Sequence, residues 1–203
     1  MSSVCDYRKY DVKSINYSPP KKVRGNTFIC KPTEEILFQT PQLKTSSGIV
    51  LHQTKGCHLE AVLTTEERPF YEFMTQIDEH NIDFIYQNSE KWFQRRYEYE
   101  VLDDFYHPNT DNKQDNQGNN YLSMTFKIAT HRRSPNINIY DERKNLINWR
   151  RITPDTPVTA IIQLKGIKFR SGEMSCEWEI VQLRAEIERS SINLTKVLVD
   201  LHS

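Results

Sequence analysis

Residues 157–169 read Pro157-Val158-Thr159-Ala160-Ile161-Ile162-Gln163-Leu164-Lys165-Gly166-Ile167-Lys168-Phe169. The run is apolar and β-branched and makes one long strand, with Gly166 marking a bend or bulge. Ser171-Gly172 turns the chain back into residues 174–187. There Cys176, Trp178 and Ile180 alternate, and Val181 and Leu183 then switch parity, the sign of a second bulge. Long strands punctuated by Gly and bulges imply a small, strongly curved sheet or barrel.

Further strands lie upstream. Leu122, Met124, Phe126 and Ile128 alternate with Tyr121, Ser123, Thr125 and Lys127, the period of a half-buried strand. Ile137 and Ile139 repeat it. Residues 48–52 and 57–63 read as a hairpin around Lys55-Gly56. Residues 27–30 and 36–38 are short apolar runs ended by Pro32 and Pro41. One long helix interrupts the strands. Thr64 with Glu67 three residues on is a capping-box signature, and Phe70, Phe73, Met74, Ile77, Phe84, Ile85 and Trp92 keep helical spacing across residues 66–94. That aromatic stripe belongs to a core, so the helix must cover a sheet or plug a barrel. A shorter helix is expected at 98–106.

The remaining segments set the domain organisation. Residues 1–25 look like a basic arm. Residues 26–188 form one domain, in which the polar stretch 107–120 is expected to be a mobile loop for want of apolar anchors. Leu194, Val197, Leu198 and Leu201 suggest a C-terminal amphipathic helix over 189–203. A helix this short needs a surface, either the domain's own sheet or a second subunit, which would make residues 192–201 the seam of a homo-oligomer.

A chain of 203 residues with zero formal net charge is ordinary for one globular domain. No run of eighteen apolar residues exists, so no membrane association is expected. Residues 1–10 contain no apolar signal core, and Cys5, Cys30, Cys57 and Cys176 are widely spaced. Free thiols in a reducing, intracellular compartment are the expectation.

Signatures of catalysis are missing or incomplete. No two of the six glycines are placed for a phosphate loop. His58-Leu59-Glu60 matches half of a zinc deaminase signature without the Pro-Cys-x-x-Cys that completes it. Asp103-Asp104 are adjacent on an expected helix and diverge there, and Pro154-Asp155 lacks the acid-x-Lys of a metal nuclease. The expectation is a binding protein with no catalytic residues, no cofactor and no metal.

Charge is unevenly spread. Residues 64–119 carry thirteen acids against five bases, and residues 127–170 carry ten bases against three acids. A basic zone interleaved with aromatic residues fits a single-stranded nucleic acid, whose phosphates need neutralising and whose bases offer faces for stacking. The candidate contacts are Lys127, Arg132, Arg133, Tyr140, Trp149, Arg150, Arg151, Lys165, Lys168 and Arg170. Tyr121 shares the polar face of its strand, whereas Phe126 and Trp178 fall on core faces.

The order of these pieces resembles a known family, the OB-fold-like single-stranded-DNA-binding proteins of nucleocytoplasmic large DNA viruses. The resemblance rests on Leu37-Phe38-Gln39-Thr40-Pro41, on Phe70-Tyr71-Glu72-Phe73 through Asp78-Glu79 to Asn88-Ser89-Glu90-Lys91-Trp92-Phe93, and on Met124-Thr125-Phe126-Lys127-Ile128. It continues through Ile139-Tyr140-Asp141, the run from Val158 to Ile167, Cys176-Glu177-Trp178 and Val181-Gln182-Leu183. It spans about residues 27–187 and departs at Lys168, where the family usually shows Trp, and at Ser175, where Gly is common. It implies an α+β, β-rich fold, an OB-like curved sheet or barrel with one long amphipathic helix. It implies sequence-independent binding of single-stranded DNA, with RNA sharing the same chemistry, in viral DNA replication, repair or packaging. The expected place is the host cytoplasm, at a virus factory, or the nucleus, or the virion itself. The alternative is a virion or virus-factory structural or interaction protein that does not bind nucleic acid.

Overall fold

The computed structural model describes residues 3–52, 56–114 and 117–187. In chain order the strands are β1 (Val4–Cys5), β2 (Lys21–Arg24), β3 (Thr27–Cys30), β4 (Leu37–Gln39), β5 (Leu43–His52) and β6 (Gly56–Leu63). Helices α1 (Arg68–Phe93) and α2 (Tyr99–Phe105) follow. Then come β7 (Tyr106–His107), β8 (Thr110–Gln114), β9 (Asn120–Ile128), β10 (Thr130–His131), β11 (Ser134–Pro135), β12 (Asn138–Tyr140), β13 (Pro157–Arg170) and β14 (Glu173–Ala185).

Five strands close a barrel in the order β5-β6-β9-β14-β13, with β13 returning to pair β5. All its neighbours are antiparallel except β9 and β14, which run parallel. This is an OB-like barrel, and with the single long helix the class is α+β, as the sequence led us to expect. Alternation explains the closure. Val158, Ala160, Ile162 and Leu164 of β13 point inward with Trp178, Ile180 and Leu183 of β14, Phe126 and Ile128 of β9 and Leu59 of β6.

Both expected bulges are present. Ile161 pairs Gln182 while Ile162 pairs Ile180, so Val181 is the extra residue. Leu164 pairs Trp178 while Gly166 pairs Glu177, so the register slips again at Lys165. Beyond that slip β13 leaves the barrel and pairs β3, placing Ile167 opposite Cys30 and Arg170 opposite Thr27. Gly166 lies at φ +129, and a methyl group there would come 2.0 Å from the Cys30 carbonyl oxygen. Only glycine permits both the backbone angle and the approach.

Helix α1 plugs one side of the barrel. The Thr64 backbone N–H donates to Glu67 Oε2 at 2.7 Å, and the Thr64 hydroxyl accepts from Glu66 N, completing the capping box. Phe70, Phe73, Met74, Ile77, Ile82 and Ile85 are buried, whereas Phe84 and Trp92, read as core, are half-buried at its margin. The Phe73 and Phe38 rings meet edge to face at 4.9 Å.

Two expectations need correction. Much of the N-terminal arm expected over residues 1–25 is part of the fold. Tyr7 packs on Phe70 and Phe73, Ile15 and Tyr17 are buried, and the Tyr17 hydroxyl donates to Asn81 Oδ1 at 2.6 Å. Isolated aromatics anchor this segment without any apolar period. The stretch 107–120, expected to be a loop, contains β8, which pairs β9 from Thr110–Met124 to Gln114–Asn120. A peripheral strand is held by its backbone, so polar side chains do not forbid it. The expected C-terminal helix at 189–203 lies outside the described residues.

Candidate nucleic-acid interface

The outer face of the barrel gathers three of the ten candidate residues. Lys127 of β9, Lys165 and Lys168 of β13 surround two glutamates of β14. Lys127 Nζ lies 2.6 Å from Glu177 Oε1, Lys168 Nζ lies 3.8 Å from Glu177 Oε2, and Lys165 Nζ lies 3.4 Å from Glu179 Oε1. Burial, aided by the neighbouring Lys127 charge, holds the Lys168 ammonium below its ordinary pKa despite Glu177. Nearby, Lys113 of β8 meets Glu60 of β6 at 2.6 Å. This face is therefore a lattice of alternating charge. The linear basic zone ended at residue 170, and strand pairing brings in the acids that follow it.

The arginines of the 129–156 segment stand differently. Both β9 and β12 pair β14 in parallel, and the β10–β11 hairpin is inserted between them. Asn136 N closes its base on the Ala129 carbonyl at 2.7 Å. Its two tip residues are Arg132 at φ 48 and Arg133 at φ 62, the left-handed pair that a two-residue type I′ turn requires. Asn and Gly suit those positions; two arginines are strained there. Both are exposed, and neither makes an ion pair among the described residues.

Further along, Asp141 accepts hydrogen bonds from Arg143 N at 2.9 Å and from Asn145 N at 2.8 Å, folding a turn that exposes Arg143 and Lys144. Asn148 caps a short 3-10 turn, Trp149–Arg151, by accepting from Arg150 N at 3.0 Å. Trp149 is half-buried, and the Arg150 guanidinium sits 4.7 Å from the centre of its ring. The turn is fixed to the barrel where Gly48 (φ +78) lies beneath Ile152; a methyl at Gly48 would come 2.2 Å from the Ile152 carbonyl oxygen. Arg151 shares a cleft with Lys44, Arg143, Asp155 and Glu186. Tyr140 of β12 is half-buried opposite Arg184, and Arg170 ends β13 opposite Glu173. Thus the strand lysines are brought together, Trp149 and Arg150 are brought together, and Arg132-Arg133 and Arg170 stand on separate elements.

Two groups of cations were missed. Pairing of β2, β3 and β13 sets Lys21, Ile29 and Lys168 in one row. The last turn of α1 carries Lys91 and the chain just past it Arg95 and Arg96, which the acidic sum over 64–119 concealed.

A second polar cluster is structural. Asp78 of α1 is buried and accepts from the Tyr106 hydroxyl at 2.8 Å, Asn109 N at 2.8 Å and Asn109 Nδ2 at 2.7 Å. Asn109 Oδ1 in turn accepts from Trp178 Nε1 at 3.0 Å. The network fastens residues 106–109 to the helix and to β14. Burial pushes the Asp78 carboxyl up from 3.8 to about 7, against the hydrogen bonds from Asn109 and Tyr106. A raised carboxyl pKa means that the folded protein holds a proton the unfolded chain has released, so this group's stabilisation is full below about pH 4 and is lost as pH rises to about 7. Thermal melts from pH 4 to 8 should show Asp78→Asn flattening that decline relative to the parent; an identical slope in both proteins would contradict this assignment.

Among the described residues no three His, Cys, Asp or Glu side chains gather as a metal site, and no helix is long and apolar enough to cross a membrane. Cys57 points into the barrel and His58 out of it, so the two cannot share a metal. Burial raises the Cys30 thiol to about 12 and the Cys57 thiol to about 11, which leaves both as inert core groups.

No curated protein matches this chain. Among solved structures, the single-stranded DNA-binding protein from bacteriophage Enc34 is similar, with a TM-score of 0.50 at 9% identity over 85% of this chain and 90% of that one. Gp2.5, a single-stranded DNA-binding protein encoded by bacteriophage T7, is similar with a TM-score of 0.50 at 10% identity, over 78% of this chain and 96% of that one. At such identities the likeness is one of fold. A family model matches residues 59–194, about two thirds of the sequence, and the chain belongs to that family, the family of unknown function DUF5871.

Proposed function

We propose that this protein binds single-stranded DNA without sequence preference and acts in the replication, repair or packaging of viral DNA. The observation that carries the reading is the pair Arg132-Arg133, displayed on a strained hairpin tip with no carboxylate partner beside an OB-like barrel. An exposed cation is well solvated, but backbone strain that serves only to display it is the kind retained at functional sites. Barrels of this class bind oligonucleotides on the face of their second and third strands, here β6 and β9, which carries Lys127. That two proteins of similar fold are named as single-stranded DNA-binding supports the same assignment, as does the resemblance to the proteins of large DNA viruses. Arg150 and Arg151, with Trp149, are a further candidate contact on a separate turn, and the host cytoplasm or nucleus is where such a protein would act.

The paired strand lysines favour a second reading, a structural or interaction protein whose groove is neutralised. A gel shift with labelled oligo-dT at low and high salt separates the two. The DNA-binding reading expects a complex that weakens as salt rises, because each phosphate contact releases counterions. No complex at low salt would favour the interaction protein.

Glu177 occupies both Lys127 and Lys168. If a strand crosses this face, that carboxylate competes with phosphate. Glu177→Gln should then tighten oligo-dT binding about threefold to tenfold, the scale of one exposed charge interaction or slightly more. Unchanged or weaker binding would place the strand elsewhere.

A further inference from the structure

Helix α1 ends at Phe93, and Gln94 at φ 56 turns the chain so that Arg95 and Arg96 are exposed. The Phe93 ring lies 5.6 Å from Phe169 and 6.1 Å from Tyr97. Strand pairing sets Phe28 opposite Phe169 and Lys22 opposite Phe28. The result is a row of rings at the tip of the β13–β14 hairpin. Phe93, Tyr97 and Phe169 are half-buried, and Phe28 keeps 39% of its surface exposed. Cations border the row. The Arg95 guanidinium sits 5.2 Å from the centre of the Tyr97 ring, and Arg96 Nη2 donates to the Tyr86 hydroxyl at 3.3 Å. Glu90 and Glu98 are close enough to act on Arg96. Yet Lys22, Lys91, Arg95 and Arg96 make no ion pair among the described residues, in contrast to the lysines of the barrel face.

Sealing the core accounts for Phe93 and Phe169. It does not account for an exposed phenyl ring on a strand whose partner residue is Lys22, nor for Arg95 held over Tyr97, with neither cation in an ion pair among the described residues. Stackable rings beside unpaired cations are what a single strand needs, since bases stack and phosphates seek charge. We propose that this patch is a second nucleotide-binding site, with bases on Phe28 and Tyr97 and phosphates on Lys22, Arg95 and Arg96. The proposal rests on the single-stranded DNA reading and extends it to residues outside the basic zone.

The test compares the full chain, Phe28→Ala, the double variant Arg95→Ala/Arg96→Ala and a double variant of Arg132 and Arg133, each on oligo-dT and on an abasic strand of equal length. Phe28→Ala should bind oligo-dT about fivefold or more weakly and the abasic strand as the parent does, because stacking needs a base. The Arg95/Arg96 variant should weaken on both strands, with a salt slope shallower by about 1.4. If the parent binds and the Arg132/Arg133 variant weakens while these two variants match the parent, the patch is excluded and the DNA-binding reading stands. A parent that binds no strand overturns both. Should Phe28→Ala melt early, the solvent-facing Arg95/Arg96 variant decides alone. Full DNA affinity in that variant would leave an acidic protein as the patch's partner and overturn the proposal.

Discussion

Changing Arg132 to Asn and Arg133 to Gly is expected to stabilise the protein and to weaken its hold on single-stranded DNA. The two residues occupy the left-handed positions of the β10–β11 turn, at φ 48 and 62. Asn-Gly is the pair such a turn favours, and relief of strain at two residues amounts to about 1 kcal/mol or more. For a domain of this size the melting midpoint should rise by roughly 2–4 °C. The same change removes two guanidinium groups that have no partner in the described fold. A charge-assisted hydrogen bond contributes about 1.5–3 kcal/mol, so loss of two phosphate contacts should weaken oligo-dT binding about 100-fold or more. Opposite signs in the two measurements would mark the strain as functional. A higher midpoint with undiminished DNA affinity would show that the tip takes no part in binding.

Gly166→Ala should give the largest loss of stability of any single substitution considered. A methyl group there would lie 2.0 Å from the Cys30 carbonyl oxygen, a backbone atom that cannot swing away, on a residue held at φ +129. Strain and overpacking each cost about 1–3 kcal/mol. A combined loss of about 3 kcal/mol or more would lower the midpoint by about 10 °C. The pairing of Ile167 with Cys30 should open first, because it lies directly beyond the bulge. A midpoint within 2 °C of the parent, on the roughly 2–4 °C per kcal/mol scale, would contradict the account of how β13 leaves the barrel.

The elements that carry their own periodicity were legible in the sequence. The alternation in β9, β13 and β14 and the 3.6-residue stripe of α1 are local patterns; Gly166 announced its bulge as a glycine within a strand and Val181 by breaking parity. What depends on partners distant in sequence was not legible. Tyr7 and Tyr17 are single aromatics in a polar segment, and their burial follows from rings on α1 some sixty residues away. Strand β8 has no apolar pattern because its backbone, paired to β9, does the holding. Asn109, inside the stretch read as a loop, is fastened to Asp78 and Trp178.

The candidate site shows the same division. Counting charge along the chain identified ten cations in the zone 127–170, but Glu177 and Glu179 fall just past its end and strand pairing returns them to Lys127, Lys165 and Lys168. Counting also buried Arg95 and Arg96 in an acidic window, although both are exposed and neither forms an ion pair among the described residues. Pairing, rather than composition, decides which charges remain open to a partner.

The most direct test of the central claim is an anisotropy titration of the full chain with fluorescent oligo-dT, repeated with mixed-sequence single strands and with a duplex of equal length. The account predicts saturable binding to every single strand with similar affinity, weaker binding to the duplex, whose bases are already stacked, and affinities that fall as salt rises. Absence of binding at low salt, or tighter binding to the duplex than to any single strand, would contradict it.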